Sequence, residues 1–473
     1  MALPRYRDIA EQLLAAIARG DYPPGGRLPS VRQLAAAFAV NNLTALQAYR
    51  WLEQQQRVEA RERSGFYAVQ PEERPRAAEP PAPPPGTWVH VDDHVANLLS
   101  LSGSNIATQL HMAECDDSLY PSEELARRLR QKLLRQPALV GAHLPNLERH
   151  ALFRGLRQLA DGCQMSLAAD ELTVTNGCTE AIQLALRSLT RPGDVVAVET
   201  PVYFGLLQTI ESLGLRVLEI PCTPNEGLSL EALAFALRQG PPVRCLVVVA
   251  NFQNPTGALM PDDNKRRLVE MMRRHAIPII EDDVFGDLYF GAERPKPLKA
   301  WDRDGNVIYC ASFTKSFAPA LRLGWFSGGS HHRRMERLKI SNSYVTSSLL
   351  QATMAECLND GMYARQVVQL RKALKTQAHR LQAAVLAAFP LGTRVIAPQG
   401  GMLLWVECPE PVDTLQLLQQ ALAASISFAP GLVFSAEPRF SQHLRLSAGM
   451  PWTPQLETAI DRLGHMAKDL QRR

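Results

Sequence analysis

The residues most able to do chemistry lie around Lys315. Ser312 precedes this lysine by three residues and Arg322 follows it by seven. A β-rich run over residues 307–311 comes just before, so we expect Lys315 past the end of a buried strand, where open α/β sheets bind ligands. A lysine amine there forms a Schiff base once burial beside other cations lowers its pKa, while a hydroxyl and a guanidinium suit a phosphate. The alternative is that Lys315 is an ordinary surface lysine.

Four other segments place polar or aromatic side chains where a predicted strand ends. Residues 175–180 join a strand to a helix, whose first amides can face an anion. Residues 199–203 present a tyrosine, and residues 251–257 contain the turn Asn-Pro-Thr-Gly. Residues 281–283 are three adjacent acids, which need partners if they are buried. Each segment alone is a weak signal, but their common position predicts one site.

The Ser-x-x-Lys pattern with its later arginine resembles the cofactor-lysine motif of fold type I pyridoxal phosphate (PLP) enzymes, the aspartate aminotransferase superfamily. The resemblance implies that Lys315 is the catalytic residue and carries PLP as an internal aldimine. The other cofactor contacts that it implies are Ser312, Arg322, Gly177, Cys178 and Thr179 at the phosphate, Tyr203 stacked on the ring, Asn254 at the phenolic oxygen and Asp282 at the pyridine nitrogen. Asp283 is the alternative to Asp282, and a core position is the alternative for Tyr203.

Two further positions bear on what this site does. Arg445 falls in a predicted buried strand, where an arginine normally needs an anionic partner. The resemblance implies that this partner is the α-carboxylate of a substrate or effector, and a structural ion pair is the alternative. Val284 and Phe285 stand where many relatives have a tyrosine that donates to the phenolic oxygen, which favours ligand sensing over efficient transamination.

Residues 1–69 predict three helices followed by a β-hairpin, a winged helix-turn-helix. Apolar residues recur at helical spacing from Ile9 to Ile17. Ser30 is placed to cap a second helix over about 31–38, and Thr44 to cap a third helix that runs through residue 55. The two strands of the hairpin are expected over residues 57–60 and 65–69.

This segment resembles the DNA-binding domain of the GntR family, through Leu-Pro-Ser-Val-Arg at positions 28–32 and Ser-Gly-Phe at positions 64–66. Residues 1–76 contain eleven arginines, no lysine and eight acidic residues, a difference of +3, which suits contact with phosphates. The predicted DNA contacts are Arg32, then Thr44 and Gln47 on the recognition helix, and Arg61 and Arg63 in the wing. The alternative is that the arginines are solvated surface residues.

The Pro-rich run at residues 70–86 separates this module from the rest of the chain. A run of this composition forms a semi-rigid tether. At about 3.1 Å per residue it reaches roughly 50 Å, which is enough to place the DNA module on a neighbouring subunit.

Residues 87–473 alternate apolar strand segments with helical ones, which predicts a mainly parallel α/β sheet covered on both sides. A large domain is expected to about residue 326, and a smaller α+β part over about 327–473. The chain has a net charge of +4 and eight scattered cysteines, without a pattern that suits a metal. It lacks a signal peptide and a long apolar run, so we expect a cytoplasmic protein with no membrane contact.

A GntR-type winged helix, a Pro-rich tether and a fold type I PLP domain, in this order, resemble the MocR subfamily of bacterial transcription regulators. The resemblance implies a homodimer that binds double-stranded DNA, whose DNA modules can be domain-swapped, and that senses PLP or an amino compound at Lys315. The alternative is a working aminotransferase that carries a DNA-binding module.

Overall fold

The computed structural model describes residues 5–18, 21–22, 25–54, 57–61, 64–68, 86–89, 98, 106–143 and 146–472. The chain divides into two compact units, Met1–Pro81 and Ala82–Arg473. Arg63 and residues 70–85 of the predicted tether lie outside the described residues.

The first unit has the elements predicted for a winged helix-turn-helix. These are α1 (Arg5–Ala18), α2 (Val31–Ala37), α3 (Asn42–Gln54), β1 (Val58–Arg61) and β2 (Gly65–Ala68). The two strands pair antiparallel, with Val58 opposite Ala68. Apolar residues from all three helices and both strands form one buried core, so the helical spacing from Ile9 onward marks the core face of α1.

The helix starts agree with the sequence in one case and differ in the other. The Ser30 side chain accepts from the backbone amide of Gln33, and the Gln33 side chain accepts from the backbone amide of Ser30, which forms a capping box at α2. Thr44 does not cap α3, so that prediction was wrong. The helix begins at Asn42, and the Asn41 side chain accepts from both the amide and the hydroxyl of Thr44 at 2.8 Å. Asn41 is therefore the cap, and Thr44 lies in the first turn.

The second unit is built on a nine-stranded sheet whose central strands are parallel. The strands are β3 (Thr87–Trp88), β5 (Leu172–Thr175), β6 (Val195–Thr200), β7 (Arg216–Thr223), β8 (Gly227–Leu228), β9 (Val243–Val248), β10 (Ile279–Asp282), β11 (Val307–Ser312) and β12 (Gly324–Ser327). The order along the sheet is β3–β7–β6–β9–β10–β11–β12–β5, and β8 pairs with β7. Strands β7, β6, β9, β10 and β11 run parallel, which confirms the prediction. Strand β3 is antiparallel to β7, and β12 is antiparallel to β11. Strand β5 pairs antiparallel with β12 and therefore has the direction of the central strands.

Helices cover both faces of this sheet. The helices of the unit are α4 (Ser122–Arg135), α5 (Asn146–Gly162), α6 (Cys178–Leu189), α7 (Phe204–Ser212), α8 (Leu230–Gln239), α9 (Asp262–Arg274), α10 (His332–Asn342), α11 (Ser348–Asn359), α12 (Met362–Ala388), α13 (Thr414–Ala423) and α14 (Pro454–Gln471). Alternate residues of β6 enter different cores: Val196 packs with residues of α6 and α7, and Ala197 with residues of α8 and α9. This is why the strand is apolar throughout.

The carboxyl-terminal part is an α+β unit that takes in a segment from far earlier in the chain. Its four-stranded sheet has the order β13 (Arg394–Val395), β14 (Leu403–Glu407), β17 (His443–Ser447) and β16 (Ala429–Pro430). The short strand β4 (Thr108–Gln109) pairs with β15 (Ile426–Ser427), and Leu110 joins the core of this part. Residues 106–121 are thus anchored beside the carboxyl-terminal sheet, which the sequence did not indicate.

In the part of the chain that the structure describes, no helix is both long enough and apolar enough to span a bilayer.

Candidate cofactor-binding site

A cavity of about 210 Å³ lies at the carboxyl ends of the parallel strands of the second unit. Its lining includes residues from every segment that the sequence singled out for the cofactor. These are Cys178, Thr179, Tyr203, Asn254, Asp282, Ser312, Lys315 and Arg322. Parallel strands end at one edge of a sheet, so segments as far apart as residues 178 and 322 converge there.

Lys315 follows the end of β11 and is largely buried, with 19% of its side chain exposed. Its Nζ lies 3.4 Å from Oε1 of Glu114. Burial lowers the pKa of Lys315, the charges of Arg445 and Arg322 act in the same direction, and Glu114 opposes them. The lowered pKa increases the fraction of Lys315 that is a neutral, nucleophilic amine at neutral pH, as a Schiff-base lysine requires.

The start of α6 and Arg322 form a cradle for an anion. Gly177 precedes α6 with φ +87°, and a Cβ at this position would lie 2.8 Å from Nη2 of Arg322. Across from it, a Cβ at Gly324 would lie 2.6 Å from the Gly177 carbonyl carbon, so both positions require glycine. The first amides of α6 and the guanidinium thus converge, the arrangement that binds phosphates at helix amino termini.

Two donors that line this cavity have no hydrogen-bond partner among the described residues. The Thr314 hydroxyl is buried, whereas Arg322 is exposed, and its guanidinium takes part in none of the described hydrogen bonds or ion pairs. Buried polar groups are normally paired, so the Thr314 hydroxyl and the open guanidinium beside a single amine are suited to a ligand that supplies the acceptors. A phosphorylated aldehyde has this chemistry, and the residues present therefore fit PLP.

The adjacent acids at the end of β10 face different surroundings. Asp282 lines the cavity, where Sγ of Cys178 donates to its Oδ1 at 3.3 Å and burial raises the pKa of Asp282 to about 6. Asp283 instead accepts from Asn251, Arg294 and Tyr309 behind the site. Alternate residues of a strand point to opposite sides, so Asp282 is the acid placed to meet a ring nitrogen.

Tyr203 and Arg445 occupy opposite kinds of environment. Tyr203 is 37% exposed at the cavity, and its ring covers Gly205, where a Cβ would lie 2.5 Å from a ring carbon. It is therefore not an ordinary core tyrosine.

Arg445 is 1% exposed and donates to Oδ1 of Asn254 at 3.0 Å and to the carbonyl of His111. Both acceptors are neutral, so no described carboxylate balances the charge of Arg445 and the ion-pair alternative has no support.

The cavity also contains residues that the sequence did not single out as contacts. Val284 and Phe285, which stand where the resemblance leads us to expect a tyrosine, both line it. Glu199 is fully buried, accepts from the Val249 amide at 2.8 Å, and has its pKa raised to about 8 by burial. The position of Glu199 near the end of a predicted strand is the feature of the sequence that could have identified it. Glu114 enters from the segment anchored to the carboxyl-terminal part, and no local pattern marks it.

In the first unit, some predicted DNA contacts are exposed to solvent and others contact neighbouring side chains. Arg32 and Gln47 are exposed, and Gln47 lies one helical turn from the half-buried Thr44. Arg61 is engaged within the wing, since its guanidinium pairs with Glu59 at 3.3 Å and covers the Tyr67 ring at 4.4 Å.

These features define a class of protein: a winged helix-turn-helix joined to an aminotransferase-type fold with a PLP-compatible site. The family model for bacterial regulatory proteins of the gntR family matches residues 5–68, and the model for class I and II aminotransferases matches residues 144–463. The HTH-type transcriptional regulators YdcR and YjiR of Escherichia coli are 34% and 33% identical to this chain. The alignments cover 99% and 98% of this chain and 100% and 98% of those proteins.

Solved structures agree with the second unit. LysN, the α-aminoadipate aminotransferase of Thermus thermophilus, was solved with N-(5'-phosphopyridoxyl)-L-leucine. It matches at 26% identity and a TM-score of 0.73, over 81% of this chain and 96% of its own. Kynurenine aminotransferase of Pyrococcus horikoshii, solved with PMP, matches at the same identity and TM-score over 80% of this chain and 95% of its own. The chain belongs to the MocR-type family of transcriptional regulators, which fuse a GntR-type DNA-binding domain to a class I and II aminotransferase domain.

Proposed function

We propose that this protein regulates transcription and binds PLP at Lys315. Its affinity for DNA changes when PLP or an amino compound enters the cavity. The observation that carries the proposal is one cavity in which a buried lysine of lowered pKa lies with the unpartnered Thr314 hydroxyl and with the Arg322 guanidinium at the start of α6. A site built only for stability would have paired the buried hydroxyl within the protein.

The cavity residues that the sequence singled out have separate parts in holding the cofactor. When bound, PLP supplies an aldehyde that condenses reversibly with amines. Ser312, Arg322 and the amino terminus of α6 hold the phosphate, and Asp282 holds a proton on the ring nitrogen, because a buried carboxylate with a raised pKa gains from a cationic partner. Tyr203 stacks on the ring and Asn254 faces the phenolic oxygen.

Arg445 orients the effector. Its guanidinium is held in place by Asn254 and the His111 carbonyl, while its Nε has no partner among the described residues. A fixed, uncompensated cation of this kind binds a carboxylate in one orientation. An effector changes DNA affinity only as far as it binds two states of the protein differently, and we propose that the two states are two arrangements of a DNA-bound dimer.

An apolar surface supports the dimer. Val140 is 73% exposed, and Ile340, Tyr344 and Val345 are each more than half exposed. These positions lie close together, since the His143 ring contacts the Tyr344 ring at 5.7 Å. Exposed apolar clusters mark interaction surfaces, and a second copy of this chain is the partner that we propose. The tether then allows each DNA module to reach the neighbouring subunit.

The test is cofactor binding coupled to DNA binding. Added PLP should give the wild type a visible absorption band, and borohydride should fix a pyridoxyl mass on Lys315. Lys315→Ala should abolish both and leave DNA binding insensitive to PLP, whereas Lys372→Ala, a substitution of an exposed lysine on α12, should change neither. A wild type that stays colourless with PLP, or a band that survives in Lys315→Ala, would refute the proposal.

A catalytic aminotransferase is the second candidate, favoured by the convergence of Lys315, Asp282, Asn254 and Arg445 on one site. The two functions separate in one assay with amino donors and a keto acid. Multiple turnovers together with no salt-dependent binding of promoter DNA would establish the enzyme, and binding of DNA without turnover would establish the regulator.

A further inference from the structure

Among the described residues that line the cavity, three carry a carboxyl group: Glu114, Glu199 and Asp282. Two of these groups have partners that do not depend on an effector. Glu199 is fully buried and accepts from a backbone amide, and its pKa of about 8 keeps it mostly protonated at neutral pH. Asp282 accepts from Cys178 and serves the cofactor ring in the proposed function.

Glu114 differs from both. Its side chain is 35% exposed, and the contact that the structure gives it is the ion pair with Lys315, at 3.4 Å. Burial is the main cause of the raised pKa of Tyr203, which lines the same cavity, and the charge of Glu114 acts in the same direction. It is thus an acid that faces the space where an effector enters.

The backbone around Glu114 is fixed on both sides. The Cys115 amide donates to the Tyr120 hydroxyl at 3.2 Å, and the Asp116 amide donates to the Gly449 carbonyl at 2.9 Å. A Cβ at Gly449 would lie 2.3 Å from the Glu114 carbonyl oxygen, so this close approach requires glycine. The carboxylate is therefore presented by a rigid frame, which favours specific recognition.

Lys315 cannot satisfy Glu114 in every state of the site. A lysine nitrogen bonded to an aldehyde carbon retains at most one N–H, so its ion pair with Glu114 weakens when the cofactor is bound. When the amine of an effector takes that carbon, Lys315 is released as an amine whose lowered pKa favours the neutral form, so it restores the ion pair only in part. A half-buried carboxylate without a cation is destabilised, and a positive group on the effector would restore the pair. A second negative group on the effector would be repelled.

We propose that Glu114 makes the effector site selective for amino compounds with a second positive charge, such as diamino acids or diamines, over acidic amino acids. The inference rests on the proposed function, because the effector must enter the cavity at Lys315. In this arrangement Arg445 binds the carboxylate of a diamino acid and Glu114 binds its distal ammonium.

The experiment compares L-ornithine, L-norvaline and L-glutamate on the full-length, PLP-loaded protein. Norvaline has the carbon chain of ornithine without the distal ammonium. Calorimetry and the shift of the visible band should give ornithine an affinity roughly tenfold above that of norvaline, the size expected for one partly buried ion pair. Glutamate should bind more weakly than norvaline.

Glu114→Gln should bring the ornithine-to-norvaline ratio to about one, with the visible band as proof that the variant folds and binds PLP. Glu114→Asp, which keeps the charge, should retain part of the preference. Asp117→Asn removes the same charge from an exposed position three residues away and should leave the ratio unchanged.

The outcomes separate the two proposals. Equal binding of ornithine and norvaline by the wild type, or an unchanged ratio in Glu114→Gln, would overturn the role of Glu114 while leaving the sensor intact. Failure of all three compounds to bind the PLP-loaded wild type would overturn the role of Glu114 and leave PLP as the effector. Failure of the wild type to take up PLP would overturn both.

Discussion

The two sides of Lys315 differ in how completely their polar groups are paired. Behind the lysine, the Ser316 hydroxyl meets the Tyr363 hydroxyl at 2.9 Å, and Tyr363 donates to Asp287 at 2.5 Å. Arg294 then bridges Asp287 and Asp283. In front of the lysine, Thr314 and the Arg445 Nε have no partner among the described residues.

The difference indicates what each side is for. A buried group that is hydrogen-bonded contributes modestly to stability, and one left unpaired is destabilising. The rear network is satisfied without a ligand and stabilises the strand ends and the start of α12, where Tyr363 lies. The front keeps its polar groups unpaired because a ligand completes them. Substitutions on the two sides should therefore separate stability from binding.

The largest effect is expected behind Lys315. Arg294→Ala leaves Asp283 and Asp287 buried without their shared cation and should lower the free energy of unfolding by about 3–5 kcal/mol, as measured by denaturation in urea. Arg266→Ala is the control: Arg266 and its partner Asp263 are 65% and 84% exposed, so its loss should change stability by at most about 1 kcal/mol. Equal effects of the two changes would remove the distinction between the two sides.

A pH-dependent effect of intermediate size is expected from Glu199. Burial raises the pKa of Glu199 from 4.5 to about 8. The stability that it contributes is complete below the unfolded pKa of 4.5 and is lost as the pH rises through 8, because the unfolded chain then binds fewer protons. Glu199→Gln should remove a loss on the order of a few kcal/mol between pH 5 and 8 in the cofactor-free protein.

Denaturation curves over that pH range check this expectation. Glu226→Gln, at an exposed position, should keep the wild-type pH dependence. If Glu199→Gln keeps it as well, the carboxyl group is not protonated in the folded protein, and it belongs with the paired groups.

The smallest change in free energy is expected at Arg322 in front of the lysine. Arg322→Ala should weaken PLP binding about 10- to 100-fold, the worth of a hydrogen bond between charged groups, because the phosphate loses its guanidinium. Titration of the visible band measures this loss. The stability of the cofactor-free protein should stay within about 1 kcal/mol of the wild type. Arg439→Ala, at an exposed arginine paired with Glu437, should alter neither quantity. A stability loss without weaker PLP binding would place Arg322 among the structural groups.

The sequence by itself determined the local elements and the strand-end motifs. The spacing of Ile9 and Leu13, the cap at Ser30 and the apolar run of β6 each follow from interactions within a few residues, and the structure has them as predicted. Lys315, Asn254 and Asp282 were recognisable because each stands in a segment that resembles the PLP superfamily and follows a predicted strand. Strand ends in an α/β sheet meet at one edge whatever their separation in sequence.

Tertiary structure alone decided which groups meet outside those motifs. Neither the pairing of Arg294 with Asp283 and Asp287 nor the approach of Glu114 to Lys315 has a local signal, since 201 residues separate the last two. The sequence predicted Thr44 as the cap of α3, whereas the cap is Asn41. Both side chains can accept a hydrogen bond at a helix start, and local sequence does not decide between them. Side-chain pairing across the fold depends on backbone placement, which short-range spacing does not encode.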